Sequence, residues 1–168
     1  MRPRLRKWII ELFLTVFFAG VVITGYNLYL QKDMPTGLAP QIRAQTLNNK
    51  VVDLHELSKS APVLVYFWAS WCRVCQWTSP TVSDLSDSEN IHVMTIALSS
   101  GTDERVAAYL KANDLKMSVI NDDDGIISRN WAISVTPSFF IVRDGEIKSV
   151  LTGVTTKPGL LARLYLNR

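Results

Sequence analysis

Nineteen consecutive residues, Leu12 to Leu30 (LFLTVFFAGVVITGYNLYL), carry no charge. No other feature of the chain restricts its fold more, because a core helix is seldom so long and so free of charge. At 1.5 Å per residue, a helix of this length covers about 28 Å, close to the ~30 Å of bilayer hydrocarbon. Trp8, Tyr26 and Tyr29 fall near the two ends, where amphipathic rings favour the membrane interface. Glu11 is the last charge before the run and can stay at the headgroup level beside Lys7. The run therefore predicts one transmembrane helix.

The surrounding charge predicts its orientation. Arg2, Arg4, Arg6 and Lys7 precede the run with no acid among the first ten residues, whereas residues 37–168 hold 13 basic and 13 acidic side chains. By the positive-inside rule the N-terminus is cytoplasmic and everything after Lys32 is exported. A cleaved signal peptide would need a shorter apolar run and a small-x-small site. The stretch Tyr26-Asn27-Leu28-Tyr29-Leu30-Gln31-Lys32 offers no such site. Residues 33–40 (DMPTGLAP) contain two prolines and a glycine and read as a linker. The expected organisation is a basic stub and anchor over 1–32, a linker over 33–40, and one folded domain over 41–168.

The chain has 168 residues, enough for one domain plus a tail. An apolar share of 48% supports a full core, and a net charge of only +3 gives no footprint for nucleic acid.

Within the domain, Ile42–Thr46 and Val51–Leu54 flank Asn48-Asn49, a hairpin signal. One helical turn is expected over His55–Lys59. Val63–Ala69 (VLVYFWA) is a continuous apolar run and predicts a buried central strand. A helix follows from Cys72 to Leu85 with Pro80 inside it, then a second buried strand over Ile91–Leu98. Asp103–Ala112 is an amphipathic helix with Thr102 as N-cap. Met117–Ile120 is a short extended piece, and Asp122-Asp123-Asp124-Gly125 turns into a helix over Ile126–Trp131. Ser138–Val142 and Glu146–Leu151 are joined by Asp144-Gly145, a strong hairpin signal. Thr156–Leu166 closes the chain as a helix with Pro158 in its first turn. This order predicts an α/β fold with a mixed central sheet flanked by helices.

The two cysteines stand as Trp71-Cys72-Arg73-Val74-Cys75, directly after the predicted buried strand. That context is a redox signature. If Cys72 opens the helix, Cys75 lies on the same face one turn on, and the sulfurs can bond without large backbone movement. The unpaired N–H groups and positive end of the helix would stabilise a Cys72 thiolate. Arg73 adds to this, or is simply a solvated helix residue. Cys72 would attack a disulfide and Cys75 would then resolve the mixed disulfide.

Other uses of the pair compete. A structural bridge closing so short a loop removes little unfolded-state entropy. Zinc wants four ligands, and there is no second Cys-x-x-Cys. A two-thiolate Cu(I) site, making the protein a copper-binding module, stays open because soft ligands suit that ion.

Phe67-Trp68-Ala69-Ser70-Trp71-Cys72-Arg73-Val74-Cys75 with Pro80 resembles the thioredoxin superfamily. Val135-Thr136-Pro137-Ser138-Phe139-Phe140-Ile141-Val142 resembles that family's cis-proline loop and following strand, and Asp144-Gly145 and Gly153 match its later turn and glycine. The strands before Val63 and the segment Val119–Gly125 look like the exported, membrane-tethered branch containing TlpA and ResA. Within it the chain is most similar to the ScsD group of suppressor-of-copper-sensitivity proteins, which are protein disulfide oxidoreductases. The resemblance covers roughly residues 38–167.

The resemblance implies a thioredoxin-like domain in the periplasm, tethered to a bacterial inner membrane. It implies Cys72 and Cys75 as catalytic residues, with no cofactor beyond their own redox-active disulfide and no metal. Pro137 would be cis beside the pair, the Thr136 backbone would receive a substrate strand, Thr136 and Val74 would tune redox and substrate choice, and Trp71 would cover the disulfide. Substrates would be protein thiols and disulfides. Electrons would arrive from a DsbD- or ScsB-like membrane thiol carrier, with copper tolerance as the context and cytochrome c maturation as a rival client. Arg73-Val74 is neither the Gly-Pro of strong reductants nor the Pro-His of strong oxidants.

Two departures stand out. The family's buried Asp on the central strand is Tyr66 here, and the Glu that several tethered reductases carry three residues after the second cysteine is Thr78. Neither usual proton acceptor for Cys75 is present. His55 and His92 are isolated and read as surface or edge residues. The run of three aspartates reads as a turn and helix cap, with cation binding as its rival. Trp68, Trp77 and Trp131 fill core or line the groove by the cysteines.

Overall fold

The computed structural model describes residues 3–88 and 91–167, with residues 3–6 given by backbone alone. Arg2 of the basic cluster lies outside the described residues. The chain divides into two units, Met1–Lys32 and Asp33–Arg168.

The first unit is one helix, α1 (Pro3–Gln31). Its stretch Lys7–Gln31 is long and apolar enough to be a candidate membrane span. Side chains 7–26 are all exposed, so no protein core claims the apolar surface that the uncharged run presents.

The second unit is a three-layer α/β domain. Its elements are β1 (Gly37–Leu38), β2 (Arg43–Gln45), β3 (Val51–Asp53), α2 (Leu54–Ser60), β4 (Val63–Trp68) and α3 (Arg73–Ser86). They continue as β5 (His92–Leu98), α4 (Asp103–Ala112), β6 (Val119–Asp122), α5 (Ile126–Asn130), β7 (Ser138–Arg143), β8 (Glu146–Thr152) and α6 (Lys157–Leu166). Six strands form one sheet in the order β1-β8-β7-β4-β5-β6, and β2-β3 form a separate hairpin. The β4–β5 and β5–β6 pairs are parallel, while β4–β7, β7–β8 and β1–β8 are antiparallel. The mixed sheet expected from the element order is therefore present.

β4 is the centre of the domain, and all six of its residues are buried. A strand sends successive side chains to opposite faces, so an unbroken apolar run here feeds two cores. Leu64, Tyr66 and Trp68 join a cluster with α3, α4 and α6 that contains both cysteines. Val63, Val65 and Phe67 join the opposite cluster with α2, α5 and Trp131. The ring of Trp131 lies 5.4 Å from that of Phe67 and 4.8 Å from that of Phe140.

Local chemistry explains most boundaries. Asp144 (φ 53°) and Gly145 (φ 74°) take the left-handed conformations that a two-residue turn between β7 and β8 requires. Asn49 (φ 60°) does the same between β2 and β3. The carboxylate of Asp53 accepts the N–H groups of His55 and Glu56 at 3.0 and 3.2 Å. This cap starts α2 at Leu54, a residue expected to end a strand, and extends the helix beyond the single turn expected.

Two further expectations are corrected. Residues 33–40 are not a free linker. Gly37 and Leu38 pair with Ile147 and Glu146 as an edge strand, Met34 and Ala39 are buried, and the Ala39 N–H bonds the Gly145 carbonyl at 2.8 Å. A proline- and glycine-rich stretch suits an edge, where few ladder bonds are needed. The piece expected at Met117–Ile120 begins its strand only at Val119. On the outer side of β6, the Leu47 N–H bonds the Val119 carbonyl at 2.8 Å.

The aspartate run serves α5 and its neighbouring loop. Asp122 is buried and accepts from Ile127 N at 3.0 Å and Ser128 N at 2.8 Å. Asp124 accepts from Ile126 N at 3.1 Å, and Asp123 from Gly101 N at 3.2 Å. Replacing Asp122 by Ala leaves two N–H groups without their acceptor and is expected to cost about 1–3 kcal/mol. Asp123→Ala, at the exposed rim, should cost no more than about 0.5 kcal/mol. Urea unfolding of the two variants beside the parent chain checks this order.

Candidate active site

β4 ends at Trp68, and the chain turns once before α3 begins. The Cys72 N–H closes that turn on the Ala69 carbonyl at 3.1 Å. Cys72 is the N-cap of α3, with extended backbone at φ −82° and ψ 109°, and its sulfur accepts the N–H of Cys75 at 3.1 Å. An N-cap side chain normally satisfies a helix N–H through oxygen; here sulfur takes that place. A thiolate at this position faces the positive helix end, which favours ionisation.

Cys72 and Cys75 form a disulfide, with their Cα atoms 5.2 Å apart. Cys72 is 6% exposed and Cys75 fully buried, so only the first sulfur is within reach of another molecule. Opposite it, the Thr136–Pro137 peptide bond is cis, and the Thr136 carbonyl oxygen lies 3.6 Å from Cys72 Sγ. Thr136 is half-buried and Pro137 buried. The Gly153 N–H bonds the Pro137 carbonyl at 2.9 Å, and the Ser138 hydroxyl bonds the Val135 carbonyl at 2.7 Å. The loop is thereby held to the ends of β7 and β8, next to the start of α3.

Trp71 is 63% exposed, and its Nε1–H donates to the Ser99 carbonyl at 3.0 Å. The bond ties the residue before Cys72 to the loop after β5. The Ser100 hydroxyl reinforces that tie, accepting from Ser70 N at 2.9 Å and donating to the Leu98 carbonyl at 3.1 Å. An open groove of about 580 Å³ runs between Trp71, this loop, Arg105 and Tyr109. Arg73 is exposed and has no hydrogen-bond or ion-pair partner among the described residues. Val74 is partly buried against the core cluster that holds the cysteines.

Behind Cys75 lies a buried hydroxyl group trio. Tyr66 Oη is 3.1 Å from Thr78 Oγ1 and 3.0 Å from Ser79 Oγ. Thr78 Oγ1 donates to the Cys75 and Val74 carbonyls at 3.3 and 3.4 Å. Because the Thr78 proton is committed to a carbonyl, Tyr66 donates to Thr78 and Ser79 donates to Tyr66. Burial pushes the Tyr66 hydroxyl up to about 12, against the opposing effect of its Ser79 and Thr78 hydrogen bonds. Tyr66 stays a neutral phenol at physiological pH. Its ring stacks on Phe139 with centroids 4.8 Å apart.

Ser79 escaped the sequence reading. The available signal was Tyr66 itself, since a phenol in an otherwise apolar strand must find a polar partner. Trp68 and Trp131 are buried core residues, and Trp77 is 67% exposed. The histidines stand apart from the cysteines: His55 Nε2 lies 3.1 Å from the Ala39 carbonyl and His92 Nε2 3.4 Å from Ser60 Oγ. Among the described residues no group of three or more His, Cys, Asp or Glu side chains is arranged to hold a metal.

Residues 35–150 match the AhpC/TSA family. Over 152 residues the chain is 33% identical to a thioredoxin-like protein of Haemophilus influenzae, covering 90% of each chain. Over 153 residues it is 31% identical to the thiol-disulfide oxidoreductase ResA of Bacillus cereus, covering 88% of each. Its fold is similar to the crystal structure of StoA from Bacillus subtilis, with a TM-score of 0.66 at 24% identity over 77% of this chain and 98% of that one.

The raised Tyr66 hydroxyl links stability to alkaline pH. Neutral Tyr66 is favoured by the fold, so its contribution is whole below the ordinary tyrosine value of 10 and is lost as pH rises towards about 12. The loss across that window is expected to approach roughly 3 kcal/mol. Tyr66→Phe should flatten this part of the alkaline unfolding curve, measured against the parent chain.

Proposed function

We propose, on the premise that the chain belongs to the AhpC/TSA family and is a thioredoxin-like thiol–disulfide oxidoreductase, that α1 tethers it to a bacterial inner membrane and that it reduces protein disulfides in the periplasm. The observation that carries the reading is the asymmetry of the two sulfurs. Cys72, 6% exposed, sits on a helix N-terminus, and Cys75, at 0%, is sealed behind it one helical turn on. The first attacks and the second resolves.

In this reading the Cys72 thiolate attacks one sulfur of a client disulfide. The client S–S bond breaks, one client thiolate leaves, and a mixed disulfide remains on Cys72. Cys75 then attacks Cys72 Sγ and expels the second client thiolate, so two electrons have passed to the client. An extended client segment is steered by backbone pairing at Thr136, beside the cis Pro137. Trp71, Arg73, Val74 and Thr136 shape the approach and tune the pair. The pair itself is the redox centre and needs no further cofactor.

The tether rests on the candidate span and on the basic residues before it, which point the domain outward. A reductase in an oxidising compartment requires electrons from across the membrane. By resemblance the donor is a DsbD- or ScsB-like thiol carrier, and the clients belong to copper tolerance.

Acid quenching and thiol alkylation in living cells are expected to find Cys72 and Cys75 mostly reduced. A mostly oxidised pair would favour disulfide donation instead. Cys72→Ser should abolish exchange with protein disulfides, and wild-type activity in that variant would sink the assignment. Cys75→Ser should accumulate covalent adducts with clients, visible on non-reducing gels and lost on adding reductant.

A further inference from the structure

Cys75 must lose a proton before it can resolve a mixed disulfide, yet it sits in an apolar cluster at 0% exposure. Burial of this kind disfavours a thiolate. A nearby buried carboxylate would relieve the problem, but among the described residues this face of the sheet has none. Asp122 is the one buried carboxylate among the described residues. Two residues on from Ile120, it points with Ile120 to the opposite face, and it is occupied by Ile127 N and Ser128 N. What lies behind Cys75 instead is the Ser79–Tyr66–Thr78 chain of hydroxyls. All three residues are at most 1% exposed.

Thr78 follows Cys75 by three residues and so shares its helix face. In the disulfide form its hydroxyl proton is shared between the Cys75 and Val74 carbonyls, both at long range. A change of the Thr78 side-chain rotamer would carry its hydroxyl off these carbonyls without moving the backbone. The hydrogen bond from Tyr66 polarises the Thr78 hydroxyl and makes it the better donor.

We propose that Thr78, oriented by Tyr66 and Ser79, is the positioning residue of the resolving step, donating a hydrogen bond to the Cys75 thiolate where a buried carboxylate would otherwise take its proton. The inference rests on the exchange chemistry proposed above. In the resolving step the Cys75 thiol gives its proton to water. The Cys75 thiolate attacks Cys72 Sγ, the bond between Cys72 and the client sulfur breaks, and the client leaves as a thiolate with that electron pair. The Cys72–Cys75 bond forms, and the dithiol has been oxidised by two electrons. With a neutral hydroxyl in place of a base, the step follows the thiolate fraction of Cys75 and accelerates as pH rises.

The two steps separate in one experiment on the full reduced chain in detergent. Dithiobis-nitrobenzoate releases one coloured thiolate when Cys72 attacks and a second when Cys75 resolves. Stopped-flow traces are recorded from about pH 5 to 9. For the parent chain the second release should rise with pH as a single ionisation. Thr78→Val should slow it by about tenfold at a given pH and shift its profile upward by about one unit, leaving the first release unchanged. Thr78→Ser should restore the parent profile, and Tyr66→Phe should move it in the Val direction by less.

A second release in Thr78→Val that matches the parent would overturn the proposal. Equal slowing of both releases would also overturn it, by reducing Thr78 to a packing role. So would a parent profile flat across the acidic range, which would require a protein base. Absence of the first release would overturn the exchange reading itself, and the Thr78 role with it.

Discussion

The bond from the Cys75 N–H to Cys72 Sγ sets one sulfur at the meeting point of three elements. It caps α3, it sits where β4 hands the chain over to that helix, and it brings Cys72 to 3.6 Å from the Thr136 carbonyl. It thereby puts a reactive atom on a helix N-terminus with its partner sealed behind it. The buried β4 makes this arrangement rigid, because it is clamped between β5 and β7 along its length. A helix start fixed so firmly cannot drift away from the loop that faces it.

How much of this was legible depended on how local each signal was. The VLVYFW run declared a central strand because six consecutive apolar residues need cover on both faces. Asp144-Gly145 declared its turn because two left-handed residues in succession suit few other sequences. The cysteine spacing and the distant Thr136-Pro137 declared the site through resemblance, and the fold brings them together. Edge strand β1 was hidden: its prolines and glycine read as a linker, and the pairing that orders it lies with Glu146 and Ile147. The hydroxyl trio was hidden for a similar reason. Tyr66 and Thr78 stand out in the sequence only as missing acids, and Ser79, thirteen residues from Tyr66, becomes relevant only once α3 lies across β4.

The two faces of the sheet divide the work. One packs around Phe67, Phe140 and Trp131 with no role in the chemistry, and supplies much of the apolar burial. The other carries both cysteines, and it tolerates a polar trio beneath them because every hydroxyl in it has a partner. A half-satisfied network there would cost more than an apolar substitute. Substituting hydroxyls for a carboxylate thus removes a buried charge from the cysteine side while leaving the backbone path around the disulfide as the fold requires.

The edge strand has a consequence for a thiol–disulfide oxidoreductase, which meets other protein chains. A chain with a free strand-forming segment can be recruited by an open sheet edge as an unwanted extra strand. Here the two-residue β1 covers β8 at Glu146 and Ile147 and is itself too short to template growth. The far edge is hooked by Leu47 at Val119 and ends in the inward-turned Asp122. Each rim of the sheet is thus capped in part. A foreign strand therefore finds fewer free ladder positions at the start of β8 and at β6 than two bare edges would offer.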